Sequence, residues 1–302
     1  MRTMFEQVRA NKRDSWILMF GFIVVIGVLG SILGLAWGNV NVGLVIAVTI
    51  SIVYGLIAYY SGGALILKLS GAREVTKKEY PYLFHTIEGL AIAAGVPTPK
   101  AYVIEDSALN AFATGRDPKH AAITVTTGLL KVMDRQELEG VIAHEMSHIS
   151  NFDIRFMMLT TVMVGIVTLL SDFLLRTFLW GGHGGRRKQS QGGGGIQIAF
   201  IVIGILFAIL APLIGQMIKF AISRQREYLA DANAAVLTRY PPGLAGALDK
   251  IRQDPDPLVD TANKATAHLY ISTPFRDTKS YVAGLFSTHP PIDERIKRLQ
   301  KM

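Results

Sequence analysis

The stretch VIAHEMSHISNFD, residues 141–153, decides how the rest of the chain is read. Its two histidines, His144 and His148, stand four positions apart. On an α-helix such side chains lie about 40° apart on one face. Two imidazoles so placed suit two corners of a metal's coordination tetrahedron. Glu145 projects about 60° from His148, near enough to accept a proton from a metal-activated water without ligating the metal. That water would serve as the nucleophile, so no serine or cysteine is required. Leu138, Ile142, Met146 and Ile149 line a neighbouring face, which lets the helix be buried while it presents its histidines. Asp134 and Glu137 have capping-box spacing ahead of a helix starting at Arg135. The alternative is an amphipathic helix with two surface histidines.

Working outward, Lys131, Asp134, Arg135, Glu137 and Glu139 lie just upstream, a charge density that keeps this helix out of hydrocarbon. The chain as a whole is nonetheless membrane-like. Of its 302 residues half are hydrophobic and only 18% charged, with a mean hydropathy of +0.33. Soluble proteins carry about 25% charged residues. A first apolar stretch, Trp16 to Trp37, is long enough to span a bilayer core and follows a basic leader (Arg2, Arg9, Lys12, Arg13). It is too long for a signal-peptide core and no A-x-A site follows, so it reads as an uncleaved anchor. A second, Val42 to Leu67, follows the uncharged turn Gly38–Asn41. With Lys12, Arg13, Lys68 and Arg73 at the open ends and no positive residue in the turn, those ends are expected in the cytoplasm.

Two further apolar stretches run from Phe156 to Trp180 and from Ile196 to Ile222, around the Gly-rich loop GGHGGRRKQSQGGGG. Asp172 and Arg176, four apart in the third stretch, are placed to pair. The expected class is α+β: a mostly helical membrane protein with about four membrane segments and a catalytic domain containing a small β-sheet. Residues 1–69 form an N-terminal transmembrane hairpin and 156–222 a second one. Residues 70–155 and 223–302 are then two parts of one catalytic domain. In the first part a helix is expected over Lys77–Gly95, then strands Ala101–Ile104, Ala111–Thr114 and Ala121–Thr126; the second part is mainly helical.

The chain has no cysteine, so a metal must be held by His, Asp or Glu. The net charge of +8 fits basic flanks of membrane spans. No basic stretch is interleaved with aromatics as nucleic-acid modules require, so no nucleic-acid partner is expected. A catalytic site needs a third protein ligand. Ile154 stands where a metzincin would have its third histidine. Asp153 would point about 140° from His148 if the helix continued, which suggests a structural role. His120, His183, His289 and several carboxylates stay possible. Glu227, in SRQREYLADANAA just beyond the fourth apolar stretch, is the best placed. Asp231, one turn later, could accept the outer N–H of a ligating histidine.

Four separated motifs, NAFATG (110–115), VIAHEMSHISNFD, SRQREYLAD (223–231) and THPPIDERI (288–296), together with the hydrophobic layout, resemble the HtpX-type membrane metallopeptidases, relatives of the CAAX prenyl proteases. The resemblance implies a gluzincin-like site with one zinc ion (Zn2+) per chain on His144, His148 and Glu227, and Glu145 as general base. Asp231 then looks like the partner of a ligating histidine. Asn110, Ala111, Phe112 and Ala113 resemble the edge strand along which an extended substrate lies, and His289 and Arg295 the pair that faces the active site. The implied activity is endopeptidase quality control of misfolded membrane proteins in the bacterial inner membrane, as part of a stress response. The lipid bilayer is then a partner, and the catalytic domain is cytoplasmic. Prenyl-protein processing is the second enzyme reading, though four segments are few for the enclosed chamber it needs. The non-enzyme reading is a zinc-stabilised scaffold, which has no use for Glu145.

Overall fold

A computed structural model describes residues 4–36, 38–165, 224–254, 269–271 and 290–302. The molecule is mostly helical, with one small mixed sheet and two helices long and apolar enough to cross a membrane.

Helix α1 (Met4–Ala36) begins inside the basic leader, earlier than the apolar stretch itself. Helix α2 (Val40–Leu69) starts at Asn39, whose side chain accepts from the Val42 N–H. In each helix an 18-residue apolar window reaches a mean hydropathy of 2.3 and is left mostly uncovered by protein. Their seam is built from glycine. A Cβ at Gly30 would stand 2.6 Å from the Gly43 carbonyl oxygen, and one at Gly34 2.9 Å from Gly43 Cα. Between lipid-facing helices such close backbone packing does what the hydrophobic effect cannot.

The sheet has the order β1–β2–β4–β3, with β1 Arg73–Glu74, β2 Lys100–Ile104, β3 Ala111–Gly115 and β4 Ala121–Thr126. β2 and β4 run parallel, and the other pairs antiparallel. Alternation sorts the strand residues between two layers. Ala101, Val103, Ala111, Ala113, Ile123 and Val125 face one core, which includes α3 (Pro81–Ala94), α5 (Arg135–Ser150) and α7 (Pro241–Gln253). Ile104, Phe112 and Ala122 face another, shared with Ala58 and Ile66 of α2 and with Met157–Leu159. The sheet therefore joins the helical layer carrying α5 to the membrane hairpin.

Helix α3 starts at Pro81 rather than Lys77, because Glu79 folds back to accept from the Thr76 N–H (2.8 Å) and hydroxyl (2.9 Å). That turn leaves Pro81 at the first helical position, where its missing N–H costs nothing. The short helix α4 (Thr127–Val132) and the two-residue β1 were not expected from the sequence. The capping box at α5 forms: Asp134 Oδ1 accepts from the Glu137 N–H and Glu137 Oε2 from the Asp134 N–H. Helices α6 (Arg224–Thr238) and α8 (Ile292–Leu299) complete the described part. Residues 153–165 are helical, so the third apolar stretch begins as a helix. Its remainder, Asp172 and Arg176, the Gly-rich loop with His183, the fourth stretch and His289 lie outside the described residues.

Candidate metal centre

Helix α5 is buried on every side along its second half. Leu138, Ile142, Met146 and Ile149 pack into the core as their spacing suggested, and His144, Glu145 and His148 are buried beside them. At Gly140 a Cβ would stand 2.6 Å from the Leu244 backbone nitrogen, so α7 lies directly against α5. Helix α6 crosses the other flank, tied by Asn233 Nδ2 donating to Ser147 Oγ (2.9 Å). That crossing brings Glu227, from its first turn, to the histidines.

The result is a compact triangle of donor atoms. His144 Nε2 and His148 Nε2 are 3.2 Å apart, and Glu227 places one carboxylate oxygen 3.6 Å from the first and the other 3.5 Å from the second. These three residues are a group able to hold a metal ion among the described residues. The size fits. Three ligand atoms about 2.0–2.1 Å from a tetrahedral zinc lie about 3.4 Å from one another.

Each histidine is oriented from behind by a carboxylate. His144 Nδ1 lies 3.0 Å from Asp231 Oδ1, and His148 Nδ1 lies 3.0 Å from Asp153 Oδ2. A carboxylate only accepts, so each Nδ1 carries the proton and each Nε2 keeps its lone pair for the triangle. In the neutral imidazoles the two Nε2 lone pairs face each other at 3.2 Å, an arrangement that a bound proton or a cation relieves. Burial lowers the His144 pKa, but hydrogen bonds to Asp231 and Glu227 outweigh it and lift the group to about 9. His148 is raised as well, against its own burial, by Asp153 and by the charge of Glu227. Without metal the site thus draws in protons. Around it four buried carboxylates, Glu145, Asp153, Glu227 and Asp231, face two guanidiniums, Arg226 and Arg295. This excess of buried acidic groups suits a cation, because buried charge is costly unless matched.

Arg295 on α8 is wholly buried and grips Asp231 with two bonds, Nε to Oδ2 (2.9 Å) and Nη2 to Oδ1 (2.6 Å). Desolvation of Asp231 would raise its pKa, but the charge of Arg295 and the bonds from His144 and Arg295 hold it at about 2. The remaining Arg295 nitrogen, Nη1, lies 3.3 Å from the Ile271 carbonyl and 3.8 Å from Glu227. Arg295 therefore sits against the ligand cluster, with most of its donors engaged by Asp231.

Asn110–Ala113 runs into β3, the edge strand of the sheet. Thr126 N–H donates to the Asn110 carbonyl, so in this antiparallel pair the backbone groups of Ala111, Ala113 and Gly115 point away from β4. The outward carbonyl of Ala111 accepts from the Ile271 N–H (2.9 Å), while Phe112 turns to the other layer against Tyr270.

One contact and one residue at the centre escaped the sequence reading. Asp153 does not point away from His148. The helix stops at Ser150 and Phe152 takes φ 61, which reverses the chain before it resumes a helix at 153. Asp153 is thereby folded back under His148. Asn11 of α1 then donates to Asp153 Oδ1 (2.5 Å) and to the Asn151 carbonyl (2.8 Å) from a fully buried position. The NFD sequence after the second histidine was the available signal for Asp153, because Asn and Asp favour helix ends. Nothing in the sequence pointed to Asn11.

Comparison with known proteins identifies the family. The family model described as Peptidase family M48 matches residues 77–302. A protein named Protease HtpX homolog from Dictyoglomus thermophilum is 47% identical over 300 residues, covering 99% of this chain and 95% of that one. A namesake from Listeria monocytogenes is 43% identical over 305 residues, covering 99% and 100%. Among solved structures, the crystal structure of S. mikatae Ste24p shares the fold at a TM-score of 0.50 and 20% identity. That match covers 95% of this chain, which spans 66% of the Ste24p chain's length. Matched by the family model from residue 77 to its end and by protease relatives over nearly its whole length, the chain belongs to peptidase family M48.

Proposed function

We propose that this membrane-anchored metalloprotease holds one zinc ion on His144, His148 and Glu227, in the manner of gluzincins, and cleaves peptide bonds of misfolded membrane proteins. The observation that carries the reading is the buried donor triangle, 3.2–3.6 Å on each edge, with both histidines oriented by carboxylates. A bound zinc ion supplies Lewis acidity, bringing the pKa of a water down to about 7. Glu145, next to His144 and buried, takes the proton of the attacking water and delivers it to the departing amine. Arg295 fixes Asp231 and lends positive potential beside the cluster, where negative charge develops on the substrate carbonyl. His289, outside the described residues, is assigned the same task from its place in the THPPIDERI motif.

An extended substrate would add a strand along the outward edge of β3, next to Ala113, since the Ala111 carbonyl is engaged by Ile271. We assign residues 1–69 and 156–222 to two membrane hairpins, giving four segments, and 70–155 with 223–302 to one catalytic domain. The basic ends of the first hairpin support assigning that domain to the cytoplasmic side, and we assign the membrane as a bacterial inner membrane. Packing supports the arrangement, because the sheet layer opposite α5 is shared with α2. The ligand assignment is tested by zinc content: Glu227→Ala is expected to lose the metal, and Glu145→Ala to keep it. Full zinc and full activity in Glu227→Ala would refute the assignment.

A further inference from the structure

A cavity of about 240 Å³, lined by none of the donor-triangle residues, lies where α2 meets the end of the sheet. One wall is α2 from Tyr59 to Leu67; the other is the ends of β2, β3 and β4 with the turn between the last two. Four basic side chains line it, Lys100, Arg116, Lys119 and His120, and no carboxylate does. Glu74 and Asp117 stand behind, pairing with Lys100 (3.0 Å) and with His120 (2.7 Å) and Arg116 (3.6 Å). Lys119 is exposed and makes no ion pair among the described residues.

The cavity's level is set by aromatic residues. Trp16 of α1 stacks on Tyr59 of α2 (6.1 Å), and Tyr60 projects outward beside them. Trp and Tyr collect where hydrocarbon gives way to headgroups. Lys12 and Arg13 precede this level on α1, and Lys68 follows it on α2, with Arg73 just beyond in β1. The Arg116 guanidinium lies 5.3 Å over the Tyr60 ring and that of Arg155 lies 5.6 Å over Tyr59, so cations and interfacial aromatics form one surface.

We propose that this cavity binds the phosphate of an anionic phospholipid headgroup in the leaflet facing the catalytic domain. Its basic lining supplies the charge, and its position beside a spanning helix supplies the depth. Thr114 and Gly115, at the end of the edge strand, line the same cavity, so a bound headgroup would brace β3 against α2.

The test uses the full-length protein in a neutral detergent, with melting temperature followed on addition of phosphatidylglycerol, phosphatidylcholine or inorganic phosphate. Phosphatidylglycerol is expected to raise the Tm by about 3–5 °C, with little change from the other two. The double variant Lys100→Gln/Lys119→Gln should lose at least half of that shift while cleaving casein normally without lipid. A matched pair of exposed lysines outside the cavity, Lys78→Gln/Lys301→Gln, should keep it. An equal shift with phosphatidylcholine or with inorganic phosphate alone would overturn the proposal. So would a full shift in the cavity variant, or an equal loss in the matched control.

Discussion

The membrane hairpin and the layer around α5 are built on opposite plans. In the hairpin, large apolar residues such as Phe20 (68% exposed) and Val45 (64%) point away from the protein, and the helices meet through glycines. Around α5, His144 (1%), Asp153 (1%) and Arg295 (0%) are sealed inside, and apolar residues serve as their packing. Each plan is stable only in its own surroundings. Lipid suits the first, and protons or a bound cation balance the second. The two are joined at Asn11, which leaves the end of a membrane helix to hold Asp153 beneath His148.

That contrast is sharpened first by pH, where the largest graded effect is expected. His144 gains a proton in the metal-free protein with a pKa of about 9. Raised above the ordinary 6.5, this protonation stabilises the metal-free fold at low pH and ceases to do so as pH rises through 9. A metal needs the unprotonated nitrogen, so its apparent affinity should rise at least about tenfold per pH unit from pH 7, more steeply where His148 also sheds a proton, until His144 is deprotonated near 9. Competition titration with a zinc chelator at several pH values would show it, and a flat profile would place the metal elsewhere.

Asp153→Asn tests the carboxylate that orients His148. Loss of such a partner typically costs 10–100-fold in metal affinity, so a reduction of about that size is expected with the helical content unchanged. Unaltered affinity would mean that the His148–Asp153 contact is packing alone.

Asn11→Ala probes the join between the two plans. It removes one hydrogen bond to a charged group and acts on the metal only through Asp153, so we expect a loss of affinity under about tenfold. An Asn11 variant with undiminished zinc affinity would show the hairpin and the centre to be energetically separate.

How far these features could be read from sequence depends on how local their causes are. The α5 motif, its capping box and its apolar stripe are set by spacing within a few turns, and each has its counterpart in the structure. Strands β2, β3 and β4 were each expected to within a residue of their ends, and the first two apolar stretches showed in sustained hydropathy. Strand β1 has only two residues and forms because β2 is beside it. The direction of Asp153 differs from the helical extrapolation because that extrapolation runs through Phe152, whose positive φ reverses the chain. Asn11 lies 142 positions from its partner, and no periodicity connects residues so distant. The basic cavity is hidden for the same reason, since its lining comes from α2, three strand ends and a turn.

The central claim is a hydrolytic metal site in which Glu145 moves the proton. It is tested most directly by measuring zinc content and casein cleavage side by side for the wild type and Glu145→Ala, both purified in detergent with added zinc. The account predicts about one zinc per chain in each, with cleavage, including self-cleavage, only in the wild type. Equal cleavage by the two proteins would contradict it and place the chemistry somewhere else in the chain.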